Sequence, residues 1–181
     1  GDVREMEKLS ADLLESERMN AGHTTLRRSS VELGSMLQSL IHTEFQDRFD
    51  RINLHLPSQP LVREVDEVRV RLVAKNLIEN ALHYTPPDGP PVEVELGAKP
   101  GMVILRIRDH GPGIPPHERQ LVFERFFRST SARAMPGSGL GLAIVKQVVL
   151  KHGGALRVEE TVRGGQPPGT SVYVLLPGRL I

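Results

Sequence analysis

The sequence contains no cysteine and no tryptophan, and aromatic residues make up only 4% of its 181 positions. Without thiols there is no disulfide framework, thiolate metal site or cysteine nucleophile, and the redox compartment stays open. An excess of one charge is also missing: 23 basic and 22 acidic side chains leave a net of +1. That balance provides no electrostatic footprint for nucleic acid or for an anionic membrane. No apolar run approaches the roughly 20 residues that span a bilayer, and the N-terminus has no signal-peptide pattern. No histidines have the H-E-x-x-H spacing of a zinc site, and His117 and His152 read as surface or helix-end residues. There is no internal repeat. Glycine and proline, by contrast, are plentiful at 17 and 14 residues, and they come in clusters. With 39% apolar and 25% charged residues, the chain suits one globular domain with a short appendage.

The appendage is residues 2–20. Asp2 and Glu5 have capping-box spacing, and Val3, Met6, Leu9 and Leu13 recur at helical intervals before Gly22. A lone helix of this length is marginal in water, so its stripe calls for a packing partner that the chain does not contain. Beyond it, Leu33, Met36, Leu37, Leu40, Ile41 and Phe45 form a helical stripe, with Ser29 and Glu32 at capping-box spacing ahead of them. Arg51–Leu56 alternates as a half-buried strand closed by Pro57, and Leu61–Val65 reads as another short strand. Asp66 or Glu67 starts a long helix to Tyr84, with Val70, Val73, Ala74, Leu77, Ile78 and Ala81 on its apolar face. Thr85–Pro91 is a hard stop. Val92–Leu96 and Met102–Arg108 alternate as an antiparallel pair joined through Gly97–Gly101. A Gly-, Pro- and Arg-rich loop runs from Asp109 to Ser138. Leu140–Lys151 is apolar nearly all round, hence a deeply buried helix, and Ala155–Val162 and Thr170–Leu176 read as the last strands. This order predicts an α/β sandwich with helices on one face of a mixed sheet.

Three clusters carry possible chemistry. Asn76 and Asn80 lie one turn apart beside the apolar face, with His83 and Tyr84 following. Asparagine is a mediocre helix former, so the pair reads either as carbonyls for a hard cation and its waters or as a solvated polar edge. Asp109-His-Gly-Pro-Gly-Ile-Pro115 ends a strand, and Gly111 and Gly113 would let backbone approach a flat ligand while Asp109 accepts from an exocyclic amine. A plain loop turn explains the same glycines. Gly137-Ser-Gly-Leu-Gly141 opens the buried helix and would present unpaired N–H groups to phosphate, or simply permit close packing. Neither the P-loop nor the Rossmann glycine spacing is present. Between the last two clusters lies Phe123-Glu-Arg-Phe-Phe-Arg128. Residues 119–133 hold four arginines and one acid, and arginine suits bidentate phosphate contacts.

In this order the four segments resemble the N, G1, F and G2 boxes of the catalytic ATP-binding domain of bacterial-type sensor histidine kinases, in the GHKL superfamily with gyrase, heat-shock-90 and mismatch-repair ATPases. The likeness runs from about residue 24 to 177, and Gly169-Thr170 fits the closing motif. It implies a mixed, mostly antiparallel sheet of about five strands under three helices. It also implies ATP and magnesium as ligands. By resemblance, Asn80 coordinates the metal bridging the phosphates and Asn76 supports it, the two forming the catalytic pair. Tyr84 flanks the nucleotide. His83 stands where the family usually has lysine, and supplies no fixed charge. Asp109 accepts from the adenine amino group, with Gly111, Gly113 and Ile114 beside the base. Arg125 or Arg128 reaches the phosphates. Gly137, Ser138, Gly139, Leu140, Gly141 and Leu142 lead the lid into the phosphate-facing helix, and Thr170 completes the set.

In hydrolytic members a glutamate stands one turn before the metal-binding asparagine. Here that position is Asn76, which is no general base, and Glu79 is turned about 100° away. Phosphoryl transfer to an outside acceptor therefore fits better than hydrolysis. Residues 1–22 resemble the second helix of the dimerisation and phosphotransfer hairpin, leaving 23–181 as the catalytic domain. The phosphoacceptor histidine is absent, so the chain reads as a piece of a longer protein. Its expected partners are that missing hairpin and, through the full-length kinase, a response regulator, with no nucleic acid. The piece would be monomeric and the whole protein a homodimer, its ATP-binding part cytoplasmic. The alternative is a regulator of the anti-sigma type that phosphorylates serine, which does not need the 2–20 helix.

Overall fold

The computed structural model describes residues 25–124 and 141–178, together with the helical, exposed positions Val3, Met6 and Glu7. The other residues of the expected 2–20 helix, and residues 21–24, 125–140 and 179–181, lie outside the described residues. In chain order the elements are β1 (Ser29–Glu32), α1 (Leu33–Glu44), β2 (Ile52–His55), β3 (Val62–Val65), α2 (Glu67–Tyr84), β4 (Val92–Lys99), β5 (Met102–Arg108), α3 (Gly141–Lys151), β6 (Ala155–Glu159) and β7 (Ser171–Pro177).

Period-two alternation makes the centre of the sheet. Val92, Val94 and Leu96 of β4 are buried, as are Val103, Leu105 and Ile107 of β5, while the residues between them are more exposed. Antiparallel pairing sets Val94 opposite Ile107 and Leu96 opposite Leu105, so one face of the pair is apolar throughout. The full order is β2-β4-β5-β7-β6. All neighbours are antiparallel except β2 and β4. A parallel pair needs a long crossover, and the connection containing α2 provides it. The apolar faces of α1, α2 and α3 meet the apolar face of the sheet in one core that includes Leu37, Phe45, Ile78, Val92 and Ile144. The expected α/β sandwich is what forms.

Three local expectations are corrected. Ser29–Glu32 is not a capping box but strand β1, which pairs antiparallel with β3 outside the main sheet. Glu32 itself caps α1, its carboxylate accepting from the Gly34 N–H at 2.6 Å. The β4–β5 hairpin extends past Gly97, so only Pro100 and Gly101 turn, with Gly101 at φ +74°. Strand β6 stops at Glu159, three residues short of Val162.

His152 is at a helix end as expected, yet it is buried. Its Nε2 accepts the Asp66 N–H at 3.1 Å, so its Nδ1–H donates to the Val148 carbonyl at 2.8 Å. Burial holds its pKa below the ordinary histidine value, the Val148 bond and the Asp66 charge opposing this and the Arg28 and Arg69 cations adding to it. Since His152 follows α3 and Asp66 precedes α2, the bond joins the end of one helix to the start of the other. The packed helices run antiparallel, and the start of α3 comes toward the Asn80–Tyr84 end of α2.

Asp66 is the N-cap of α2, accepting from the Arg69 N–H at 3.3 Å. It also takes the Arg27 N–H at 2.9 Å and the Arg69 guanidinium at 2.8 Å. Burial alone would raise its pKa, but these donors hold it below the usual carboxylate value. Asp66→Ala should therefore cost about 2–4 kcal/mol, for a lost cap and stranded donors. Because a depressed carboxylate stabilises above its unfolded pKa and loses this as pH falls, the deficit should narrow below about pH 4. Urea unfolding reads both effects, and a loss under about 1 kcal/mol at neutral pH would contradict the assignment.

Candidate nucleotide site

Asp109 follows β5 directly and is 5% exposed. Its N–H donates to the Thr170 carbonyl at 2.8 Å. Its Oδ1 accepts two backbone donors, the Thr170 N–H at 2.8 Å and the Gly111 N–H at 3.0 Å. Among the described residues none donates to Oδ2. Burial pushes the carboxyl up to about 6, against the pull of the Gly111 and Thr170 bonds. The structure thus holds a buried acid with one oxygen pinned and the other available. A perturbed carboxyl with unused acceptor capacity is what a donor-bearing ligand needs.

The loop after Asp109 packs against the end of α2. A Cβ on Gly111 would lie 2.7 Å from the Tyr84 carbonyl oxygen and 2.9 Å from its Cβ, so only glycine lets the loop approach. Gly113 has φ +81°, and a Cβ there would meet Pro168 at 2.7 Å. Thr85 caps α2, is buried, and its Oγ1 accepts the His110 N–H at 3.0 Å. Arg51 braces the same corner, donating to the Thr85 and Pro86 carbonyls at 3.2 Å each. The Asp109 loop, the C-terminal end of α2 and the approach to β7 are thereby one rigid corner.

On α2, Asn76 is buried and its side-chain nitrogen has no hydrogen-bond partner among the described residues. Asn80, one turn on, is half-buried. A buried amide without a partner costs about 1–3 kcal/mol, which an acceptor arriving with a ligand would recover. Tyr84 is half-buried and His83 exposed, in the last turn of the helix. Gly141 begins α3, and Leu142 is half-buried against the core. Ile114 is half-buried, its carbonyl accepting from Arg119 Nε at 3.2 Å. The structure therefore gathers Asp109, Gly111, Gly113, Tyr84 and Thr170 at one corner, with Asn76 and Asn80 earlier along α2. Arg125, Arg128, Gly137, Ser138, Gly139 and Leu140 fall outside the described residues. Of the aromatic patch, Phe123 is buried in a short 3-10 turn, and Glu124 after it meets Lys146 of α3 at 2.9 Å. Sequence reasoning missed Thr85 and Arg51. The only local signal for Thr85 was a threonine at the end of a helix before Pro-Pro.

A family model described as "Histidine kinase-, DNA gyrase B-, and HSP90-like ATPase" matches residues 65–180, more than half of the chain. The chain belongs to this ATP-binding family. A signal transduction histidine-protein kinase/phosphatase MprB of Mycolicibacterium paratuberculosis (strain ATCC BAA-968 / K-10) is 48% identical over 177 residues, 98% of this chain and 33% of that protein. Another MprB, from Mycobacterium sp. (strain KMS), is 69% identical over 105 residues, 58% of this chain and 20% of that one. The chain thus spans about a third or less of the curated relatives it matches. Among solved structures, a mycobacterial sensor histidine kinase MprB is 44% identical at TM-score 0.73, covering 85% of this chain and 99% of that one. Full-length ShkA in complex with AMPPNP is 27% identical at TM-score 0.79, over 96% of this chain and 36% of that one. These findings put the chain on the sensor-histidine-kinase branch and do not favour the serine-phosphorylating regulator.

In this ATP-binding domain the raised Asp109 has a consequence for stability. A carboxyl with a raised folded pKa stabilises fully only below its unfolded value near 4, and that contribution is lost as pH rises through about 6. Asp109→Asn keeps an oxygen for the Gly111 and Thr170 donors and removes the buried charge. The nucleotide-free variant should be about 1–3 kcal/mol more stable at neutral pH, the gap closing toward pH 4. Urea unfolding at both pH values checks this, and a variant less stable than its parent at neutral pH would contradict it.

Proposed function

We propose that the chain binds Mg-ATP and passes the γ-phosphoryl group to a histidine on a helical hairpin of a longer two-component sensor kinase. The observation that carries the nucleotide reading is the Asp109 carboxylate, buried, pinned through Oδ1 and unused at Oδ2. An adenine 6-amino group is a donor of the right kind for that oxygen. Gly111, Gly113 and Ile114 would flank the base, Tyr84 would lie beside the nucleotide, and Thr170 would complete the pocket through its backbone grip on Asp109. ShkA, a protein similar to this chain, is a complex with an ATP analogue, which supports the same reading.

The phosphates would extend toward Asn76 and Asn80. The Asn76 amide nitrogen, without a partner among the described residues, is a donor suited to a phosphate oxygen or its bound water. No three His, Cys, Asp or Glu side chains among the described residues are grouped to hold a metal ion. Magnesium fits as an ion carried mainly by the phosphates, with the Asn80 side-chain carbonyl adding a protein oxygen. It would neutralise developing phosphate charge. The N-terminal end of α3, reached through Gly137, Ser138, Gly139, Leu140, Gly141 and Leu142, would face the phosphates, with Arg125 or Arg128 above them. His83 would add no fixed charge.

Transfer rather than hydrolysis follows from position 76, an amide with no basic group to deprotonate water. The acceptor imidazole nitrogen would form the new bond to phosphorus as the bond to the β–γ bridging oxygen breaks and ADP leaves. The relatives named histidine-protein kinase/phosphatase support that acceptor. In this arrangement residues 1–22 belong to the hairpin and 23–181 to the catalytic domain. The whole protein is a homodimer that hands its phosphoryl group to a response regulator. No helix among the described residues is long and apolar enough to cross a membrane, and the domain would work on the cytoplasmic side of a sensor.

Labelled γ-phosphate tests the reaction. The chain with Mg-ATP should not label itself, and with the hairpin of an MprB added in trans it should label that hairpin slowly, since separation forfeits an effective concentration on the order of millimolar. The label should be acid-labile, and Asn80→Ala should reduce it at least about 100-fold, as loss of a protein oxygen that holds the charge-neutralising magnesium would. Acid-stable label on serine, or rapid phosphate release without any acceptor, would contradict the proposal.

A further inference from the structure

After β6 ends at Glu159, the chain turns back onto the loop that carries Asp109. The Thr161 Oγ1 hydroxyl donates to the Asp109 carbonyl at 2.9 Å and lies 3.0 Å from Ser171 Oγ. Thr161 has one hydroxyl hydrogen, and the carbonyl takes it, so Ser171 is the donor in the second contact. Ser171 is 2% exposed and sits opposite Arg108, the residue before Asp109, in the β5–β7 register. The two hydroxyls therefore form a directed relay from the sheet to the Asp109 main chain. Gly169 clears its path. With φ +68°, a Cβ there would come 2.4 Å from the Asp109 carbonyl oxygen and 2.9 Å from Thr161 Cβ. The Val162 N–H bond to Pro168 O at 2.9 Å and the Gly169 N–H bond to Gly111 O at 3.0 Å close the loop around the contact.

Asp109 is thus held at its N–H and side chain by Thr170 and Gly111, and at its carbonyl by Thr161. The first set fixes Oδ1. The last, together with the Thr85 hydroxyl that accepts the His110 N–H, fixes the tilt of the Asp109–His110 peptide beside the free oxygen. We propose that Thr161 is a positioning residue for base selection, its hydroxyl, braced by Ser171, aiming the free Asp109 oxygen at the 6-amino group of adenine. This rests on the reading that Asp109 meets the base. Selectivity follows from chemistry at one atom. Guanine carries a carbonyl oxygen where adenine carries its amino group, so an aimed carboxylate accepts from one and faces an acceptor on the other.

The experiment is equilibrium titration of the chain with Mg-ATP and with Mg-GTP. Thr161→Val keeps the shape and removes the hydroxyl; it should weaken ATP about 3- to 10-fold and leave GTP unchanged, lowering the ATP-to-GTP preference by the same factor. Thr161→Ser should restore both values. Ser171→Ala should shift the preference in the same direction by a smaller factor, and it decides the matter should Thr161→Val not fold. A wild-type ATP-to-GTP preference in Thr161→Val or, failing that protein, in Ser171→Ala would overturn the proposal. So would equal weakening of both nucleotides, or a Thr161→Ser protein as impaired as the valine variant. Asp109→Asn separates the two layers. If it binds ATP like the parent, the base-recognition reading fails. If it weakens ATP while Thr161→Val does not, only the role of Thr161 falls.

Discussion

Burying a carboxylate against two backbone donors on one of its oxygens constrains everything around it. Asp109 can be buried at the end of β5 only because β7 begins alongside, so that the Thr170 N–H and carbonyl both reach it. That adjacency comes from the sheet order, in which β5 lies between β4 and β7. The Gly111 donor in turn requires the loop to pass within touching distance of Tyr84, which no side chain at 111 would allow. Gly113 and Gly169 follow the same logic, since each sits where a Cβ would strike the opposing loop. Glycines scattered over almost 60 residues of sequence thus answer to one acid.

A second junction ties the two long helices together. The Asp66–His152 bond fixes where α2 begins against where α3 ends, and the shared core fixes how the two helices lie on the sheet. From that bond α3 runs back along α2, its start toward the asparagines. Stability and function are coupled differently at the two junctions. At Asp66 several donors outweigh the cost of burial, so the group supports the fold. At Asp109 burial outweighs the donors, so the group burdens the free domain and keeps acceptor capacity for a ligand.

Much of the fold was legible because its signals are local. Period-two alternation located β4 and β5, the 3.6-residue stripe located α1 and α2, and all-round apolarity located α3 to within a residue or two. Where local signals coincide they misled: Ser29 and Glu32 have capping-box spacing, yet the alternation of β1 against β3 wins there. Order along the chain, rather than any one cluster, pointed to a candidate site at Asn76–Asn80 and Asp109–Gly113. What stayed hidden depends on contacts distant in sequence. His152 precedes two glycines and looks like a surface helix end, but its partner Asp66 is 86 residues away. Thr161 lies in a polar turn, and nothing near it announces a hydroxyl bonded to Asp109 52 residues earlier.

The central claim is that one oxygen of Asp109 is reserved for the amino group of a purine, and altering the ligand tests it while leaving the protein intact. Calorimetric titration should compare ATP with purine riboside triphosphate, which has hydrogen in place of the 6-amino group and is otherwise the same. A hydrogen bond to a charged acceptor is worth about 1.5–3 kcal/mol, so the analogue should bind roughly 10- to 100-fold more weakly. Equal affinity for the two nucleotides would contradict the account.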